Sequence, residues 1–364
     1  MSKLHIVVSK IEKIEPHPNK EATKLEIATV LGWKTCIPKG SFKQGEKCVF
    51  IPYDTILTNE SAEKLGVSKY LKGTAKNRVG RINLKGHPSF GIVTKPLDEN
   101  WPVGKDVASE YGASKYFTPV KAKAGDAESE NPLFPNLHNV ENLRNFPNSF
   151  KDGESVWISE KCDGTSSLLG LINKEWMARS NNVRRKMPIK KTWLNWVKEK
   201  LGFKLKPDIA LCKQSWFWFP YSVKQIRELL EFLSNQYKTV IIHGETYGNV
   251  QYLKYGVIST PDNPSGLEFR AFGLVLDGVK VKPKDMYELF DNFNIPTVPR
   301  IADKVPFNLE EIRKLSRGNT LINNAGHIRE GVVVLSEDGQ KSMKYVNDDY
   351  LMDKKAEETD TTDA

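Results

Sequence analysis

From Leu4 to about residue 118 the chain alternates short apolar runs with glycine- and proline-marked turns. The runs are Leu4 to Val8, Leu25 to Val30, Trp33 to Ile37, Cys48 to Ile51, Val79 to Leu84 and Gly91 to Val93. Short β-rich runs at this spacing predict a small antiparallel barrel, so residues 1–118 are expected to form an all-β domain. The pattern then stops. Residues 119–135, ending VKAKAGDAESENPLFP, are polar, aperiodic and rich in alternating charge, which predicts a linker. Beyond it, strand-sized apolar runs such as Val156 to Ile158 and Val240 to Ile242 mix with a helical segment. In that segment, Tyr221 to Tyr237, the apolar positions Val223, Ile226, Leu229, Leu230 and Leu233 share one face. Residues 136–352 are therefore expected to be an α+β domain with antiparallel sheets. Residues 353–364 are charged, poor in apolar side chains and expected to be disordered.

With 364 residues and 39% hydrophobic side chains, the chain can bury two separate cores. No apolar run is long enough to span a bilayer, and Met1-Ser2-Lys3-Leu4-His5 lacks an apolar leader, so a cytoplasmic protein is expected. Cys36, Cys48, Cys162 and Cys212 are scattered without a Cys-x-x-Cys pair, which argues against disulfide and zinc frameworks. The formal charge of +9 suits a polyanionic partner. It is concentrated between Arg184 and Lys206, where nine basic residues face the single acid Glu199 and Trp193, Trp196 and Phe203 are interleaved. Arg184, Arg185, Lys190 and Lys191 are the candidate phosphate contacts, while the three-residue spacing of the tryptophans predicts a buried, anchoring stripe.

The most chemical segment is Ser159-Glu160-Lys161-Cys162-Asp163-Gly164-Thr165, which sets a lysine before an Asp-Gly turn at the end of the Val156 strand. A lysine amine is a nucleophile only when neutral, and with a reference pKa of ~10.4 the neutral fraction at pH 7 is below about a thousandth. Burial and neighbouring positive charge are the means of activating it. Further segments follow in order: Ala178-Arg179-Ser180-Asn181, Val240 to Gly248 with Glu245, Glu268 to Leu274 with Phe272, Arg329-Glu330-Gly331-Val332, and Ser342-Met343-Lys344-Tyr345.

This ordered set resembles the motifs of the covalent nucleotidyltransferase superfamily of ligases and capping enzymes, across about residues 140 to 352. Within it the chain is most similar to ATP-dependent RNA ligases of the Deinococcus and Naegleria type, which carry an N-terminal OB domain. Ile14 to Asn19, Lys24 to Ile27, Gly32-Trp33 and Gly45 to Pro52 likewise resemble the OB fold of tRNA-binding modules, in which His17 between two prolines reads as a rigid turn.

The resemblance implies an ATP-dependent RNA ligase with AMP held covalently on Lys161, Mg²⁺ or Mn²⁺ as metal, and RNA, with or without a bridging complementary strand, as partner. No membrane and no obligate protein partner are implied, and a monomer is expected. Lys161, Asp163 and Lys344 would be catalytic. Arg144 and Lys344 would contact phosphate, and Arg179 the ribose or the acceptor 5′-phosphate. Glu160 would read adenine, Phe272 or Phe269 would stack on it, and Glu245 would contact ribose or metal-bound water. Glu330, with Glu245, would hold the metal.

The chain departs from the family pattern twice. Gly273 stands where an acid usually follows Phe272, so any such role lapses or moves to Asp277, and Ser342 stands where many relatives have a second lysine. Lys341 lies one place too early to share the Lys344 face of a strand. Two other readings exist: a DNA ligase or capping guanylyltransferase, which would place an OB domain after Lys344, and a nonenzymatic OB-type RNA-binding protein.

Overall fold

The computed structural model describes residues 4–117, 125–135 and 140–353, so the expected tail from Lys354 onward lies outside the described residues. The chain divides into two compact units, one of residues 1–118 with 141–149 and one of residues 119–140 with 150–364.

The first unit is the expected barrel. Val7–Lys10, Lys47–Ile51 and Ile92–Thr94 form one antiparallel sheet, and Lys13–Pro16, Leu25–Val30 and Trp33–Pro38 another. Alternation along these strands sends Val8, Val49 and Ile51 inward to a core shared with Ile6, Leu57, Trp101, Val107 and Tyr111. Each such aliphatic side chain contributes roughly 1.5–3 kcal/mol by leaving water. The apolar run Val79 to Leu84 is broken into two short strands, Arg78–Val79 and Ile82–Leu84, at the glycine between them. His17 is a turn residue as read: its ring accepts from the Asn19 amide at 3.1 Å and meets the Leu84 carbonyl at 3.2 Å.

Segment Glu141–Ser149 corrects the expected boundary, since it folds with the first unit and not with the second. Its Asn145 accepts from the Trp33 indole at 2.9 Å, satisfying the one polar atom of a fully buried tryptophan.

The second unit holds two antiparallel sheets. Arg184–Arg185, Glu175–Arg179, Thr165–Ile172, Thr239–Gly248, Leu267–Leu276 and Val279–Lys280 lie side by side in that order in one. In the other, Ser342–Val346, Gly331–Ser336, Ser155–Lys161 and Arg300–Pro306 are neighbours. The amphipathic helix Lys224–Leu233 buries Ile226, Leu229, Leu230 and Leu233 against Leu169, Leu171 and Ile242, and helix Pro283–Asn292 adds Met286, Tyr287 and Phe290 to the same core. No helix among the described residues is long and apolar enough to cross a membrane.

The expected linker is a free connection over none of its described length. Ala127 bridges to Arg185, and Phe134 is fully buried beside Leu168, Met177 and Ile241. The composition of residues 125–135 is polar, but the single buried aromatic Phe134 gives the segment an apolar foot on the sheet face.

Candidate active site

Lys161 ends the central strand Ser155–Lys161 and lies opposite Gly331 in the ladder with Gly331–Ser336. The chain then turns through Cys162-Asp163-Gly164 into strand Thr165–Ile172 of the other sheet, so three residues join the two sheets next to Lys161. Gly164 is required by close approach: a Cβ there would sit 2.5 Å from the Thr246 carbonyl oxygen. Gly331 is equally constrained, with a would-be Cβ 2.3 Å from the Tyr345 oxygen, which keeps the strand of Lys344 tight against it.

The two sheets enclose a cavity of about 220 Å³ whose lining includes Glu160, Lys161, Glu245, Phe272 and Lys344. Five of the predicted site residues thus converge from four strands. Ser342 also lines it while Lys341 does not: the Lys341 ammonium pairs with Glu154 at 2.8 Å and lies over the Phe150 ring. The alternation read from the sequence holds, and Ser342-x-Lys344 offers the cavity one cation from this strand.

Glu330 pairs with Lys161. Its Oε1 accepts from Lys161 Nζ at 2.5 Å, and its carboxyl is pushed up to about 7, chiefly by burial, which the adjacent lysine opposes and Asp163 reinforces. Glu330 Oε2 is buried and without a hydrogen-bond partner. An orphaned carboxylate oxygen beside two lysines and a second acid fits a hard divalent cation, which takes oxygen ligands and keeps waters and phosphate oxygens for the rest. Among the described residues no group of three or more His, Cys, Asp or Glu side chains could hold a metal alone, so such a cation would draw on its nucleotide.

Asp163 is buried. Its amide donates to the Tyr255 hydroxyl at 2.6 Å, its carbonyl accepts from Gln251, and its carboxylate accepts from the Tyr350 hydroxyl at 3.2 Å. The turn that carries Lys161 is therefore fixed on three sides. Cys162, between them, is buried with its thiol pushed well above the usual range by desolvation and by Glu245, and stays protonated.

Several predicted residues have other partners. Glu160 borders the cavity, but its carboxylate is buried and engaged: Thr320 Oγ1 and the Leu321 amide donate to its two oxygens and Arg329 lies 3.5 Å away. That carboxylate anchors the 319–328 loop, a role its neighbour Arg329 shares by donating to the Leu315 and Asn319 carbonyls. Arg144 is not in the cavity lining: it folds with the first unit, donates to the Gly32 carbonyl and lies over the Trp33 ring. Arg179 is also outside the lining. It is fully buried, donates to the Phe134 carbonyl and pairs with Glu130 at 3.2 Å, clamping the 125–135 segment, while Asn181 takes the place at the cavity wall. Asp277 does not replace the absent acid, because its carboxylate accepts from the Thr239 amide at 2.8 Å in a turn. Phe269 packs in the core against Gly244, leaving Phe272 as the aromatic at the cavity.

The basic run divides in two. Arg185 is buried, pairs with Asp126 at 3.1 Å and stacks on the Phe217 ring, and Arg184 donates to the Ser129 carbonyl at 2.7 Å, so both tie down the 125–135 segment. Lys190 and Lys191 are exposed. The tryptophans contradict the expected anchoring: Trp193 is 77% and Trp196 61% exposed.

Two cavity residues that can carry charge, Lys280 and His243, were not expected from the sequence. His243 is 7% exposed, lines the cavity, and among the described residues makes no hydrogen bond through its ring. Burial, with Lys280 nearby, pushes it down to about 3, so the imidazole is neutral. It lies opposite Gly273, where a Cβ would approach its ring within 3.3 Å. The absent acid and the histidine thus share one space. Period-two alternation from Glu245 would have pointed to it, since His243 is a polar residue on the same face of an otherwise apolar strand.

Comparison with known proteins accords with this geometry. An OB-fold domain model matches residues 5–97, and the RNA ligase model matches residues 154–346. No curated protein sequence matches the chain. Among solved structures, a Naegleria gruberi RNA ligase mutant with ATP and Mn superposes with a TM-score of 0.64 at 22% identity, covering 95% of this chain and 98% of that one. A second mutant of that ligase, with AMP and Mn, gives 0.65 at 22% identity over 96% and 98%. The same ligase with pyrophosphate gives 0.63 at 21% identity, again over 96% and 98%. These are likenesses of fold. Because the family match spans more than half of the 364 residues and contains Lys161, Glu245, Phe272, Glu330 and Lys344, the chain belongs to the RNA ligase family.

Proposed function

We propose that this RNA ligase is ATP-dependent and works through a lysyl-AMP intermediate on Lys161. The single observation that carries the reading is the Lys161 ammonium held 2.5 Å from Glu330 at the mouth of a strand-walled cavity that Lys344 also lines. To react, Lys161 gives up a proton and turns from Glu330 to the α-phosphorus of ATP. A nitrogen–phosphorus bond forms, the bond to the bridging oxygen breaks, and pyrophosphate leaves. The RNA 5′-phosphate oxygen then displaces the lysine, and the 3′-hydroxyl attacks the resulting adenylylated phosphate, sealing the strand and releasing AMP.

Charge gathers on nonbridging oxygens in each step, and Lys344, two strands from Lys161 in the same sheet and lining the same cavity, would balance it. Glu330 and Glu245 would hold Mg²⁺ or Mn²⁺, which supplies Lewis-acid neutralisation of phosphate. The Naegleria gruberi ligase was solved with ATP and Mn, which supports this choice of nucleotide and metal. Phe272 offers an aromatic face to adenine. RNA, with or without a complementary strand across the break, is the substrate; the protein acts as a monomer, and four free cysteines accord with the cytosol.

Incubation with α-³²P-labelled ATP and either divalent cation is expected to leave on the wild-type protein a covalent label that survives denaturing electrophoresis and alkali but is released by acid, as a phosphoramidate is, and labelled GTP to leave none. Labelling from GTP alone would mark a guanylyltransferase.

A further inference from the structure

The segment after Asn181 leaves the cavity wall, forms the edge strand Arg184–Arg185 beside Ala178 and Arg179, and then runs out to helix Trp193–Lys200. The helix is locally well made. Thr192 Oγ1 accepts from the Asn195 amide at 3.2 Å at its start. At its end Gly202 takes a φ of +77° while the Phe203 amide donates to the Lys198 carbonyl at 2.9 Å, a left-handed helix stop. Yet it carries outward what helices ordinarily bury. Besides the two tryptophans, Leu194, Leu201 and Phe203 are exposed, at 48%, 68% and 63%.

Trp193 and Trp196, three residues apart, lie on one side of the helix. Exposed Lys190, Lys191, Lys198 and Lys200 flank them in the chain, and the Lys200 ammonium lies 6.0 Å from the Trp196 ring centroid. A lipid surface would accept apolar groups with basic ones, and a protein groove would accept the leucines. The joint presence of two flat indoles and a cationic rim on a segment that begins at the nucleotide cavity favours another ligand. Flat aromatic faces take nucleobases, and a base exposes its faces only when unpaired.

We infer that helix Trp193–Lys200 is a docking site for unpaired RNA, with Trp193 and Trp196 stacking bases while Lys190, Lys191, Lys198 and Lys200 neutralise the phosphates between them. The inference rests on the RNA ligase reading of the cavity and deepens it, because it names single-stranded nucleotides flanking the break as part of the substrate.

The test uses the full chain and four measurements: binding of a 5′-phosphorylated single-stranded RNA and of a blunt duplex of equal length, lysyl-AMP formation from labelled ATP, sedimentation velocity, and flotation with phosphatidylcholine–phosphatidylglycerol vesicles. The paired variant W193L/W196L keeps apolar bulk without the rings, and W193F/W196F keeps rings. The leucine pair is expected to lose about tenfold to a hundredfold in affinity for single-stranded RNA and little for the duplex, and the phenylalanine pair to stay near wild type. Lysyl-AMP formation is expected to be unchanged in both. Unchanged single-strand affinity in the leucine pair overturns the inference. So does an equal loss for duplex, or a loss confined to vesicle flotation or to self-association. If wild type forms no lysyl-AMP, the ligase reading fails instead, whatever the RNA binding.

Discussion

Lys161 and Glu330, separated by 169 positions in the chain, meet at 2.5 Å because the strand ladder sets Lys161 opposite Gly331. In this state the amine is a charged ion-pair partner and not yet a nucleophile, so the contact records the condition that must be undone for chemistry.

Lys161→Ala is expected to abolish protein-AMP formation, and Lys161→Arg to do the same, since a guanidinium stays protonated. Lys161 is a quarter exposed at a strand end, so both proteins should fold with a near-normal melting temperature. A protein-AMP adduct in either would remove Lys161 as the nucleophile.

Glu330→Gln separates activity from stability. Sealing should fall by about a hundredfold to a thousandfold, the usual cost of deleting a group that organises charge at phosphate. The carboxyl's folded value of about 7 is raised above its ordinary 4.5, so the native state holds the extra proton and stability falls as pH rises between those values. The glutamine variant should therefore melt higher than wild type at pH 8 and close to it at pH 4. A variant less stable at pH 8 would show that the pair with Lys161 outweighs burial.

The basic run should split by mutation as it does in space. Arg185→Ala removes a buried guanidinium paired with Asp126 and stacked on Phe217, and is expected to cost about 1–3 kcal/mol of stability with RNA affinity unchanged. Lys190→Ala with Lys191→Ala should leave melting unchanged and flatten the salt dependence of RNA binding by up to ~0.9 per lost phosphate contact. Chemical denaturation and titrations at several salt concentrations distinguish the two; a reversed pattern would contradict the exposure of these side chains.

His243→Leu keeps the bulk beside Gly273 and removes the ring nitrogens. It is expected to raise the KM for ATP in adenylylation by up to about tenfold with a smaller change in kcat, the size of one lost neutral hydrogen bond. An unchanged KM would make the ring a filler of the space that Gly273 leaves open.

The residues that meet at the cavity were legible because the family motifs are local: each lies on a strand, Lys161 at its end and Glu245, Phe272 and Lys344 within theirs, and alternation then decides the face. That is why Lys161, Glu245, Phe272 and Lys344 were found, and why Lys341 could be set aside. The arginines were not legible. Arg144, Arg179 and Arg185 sit in suitable contexts, but what a guanidinium reaches depends on segments far away in the chain, here Gly32, Glu130 and Asp126. The tryptophans failed for another reason, since spacing tells which residues share a helix face but not whether anything lies against it.

The chain passes from the first unit to the second after residue 118, returns for Glu141–Ser149, and leaves again. A gene that exchanged either unit at one crossover would carry off half of a shared fold: cut near 118, the barrel loses Asn145 and leaves the Trp33 indole unanswered; cut near 150, the second unit loses Phe134 from under its sheet. An exchange that kept both folds whole would have to break the sequence at more than one point.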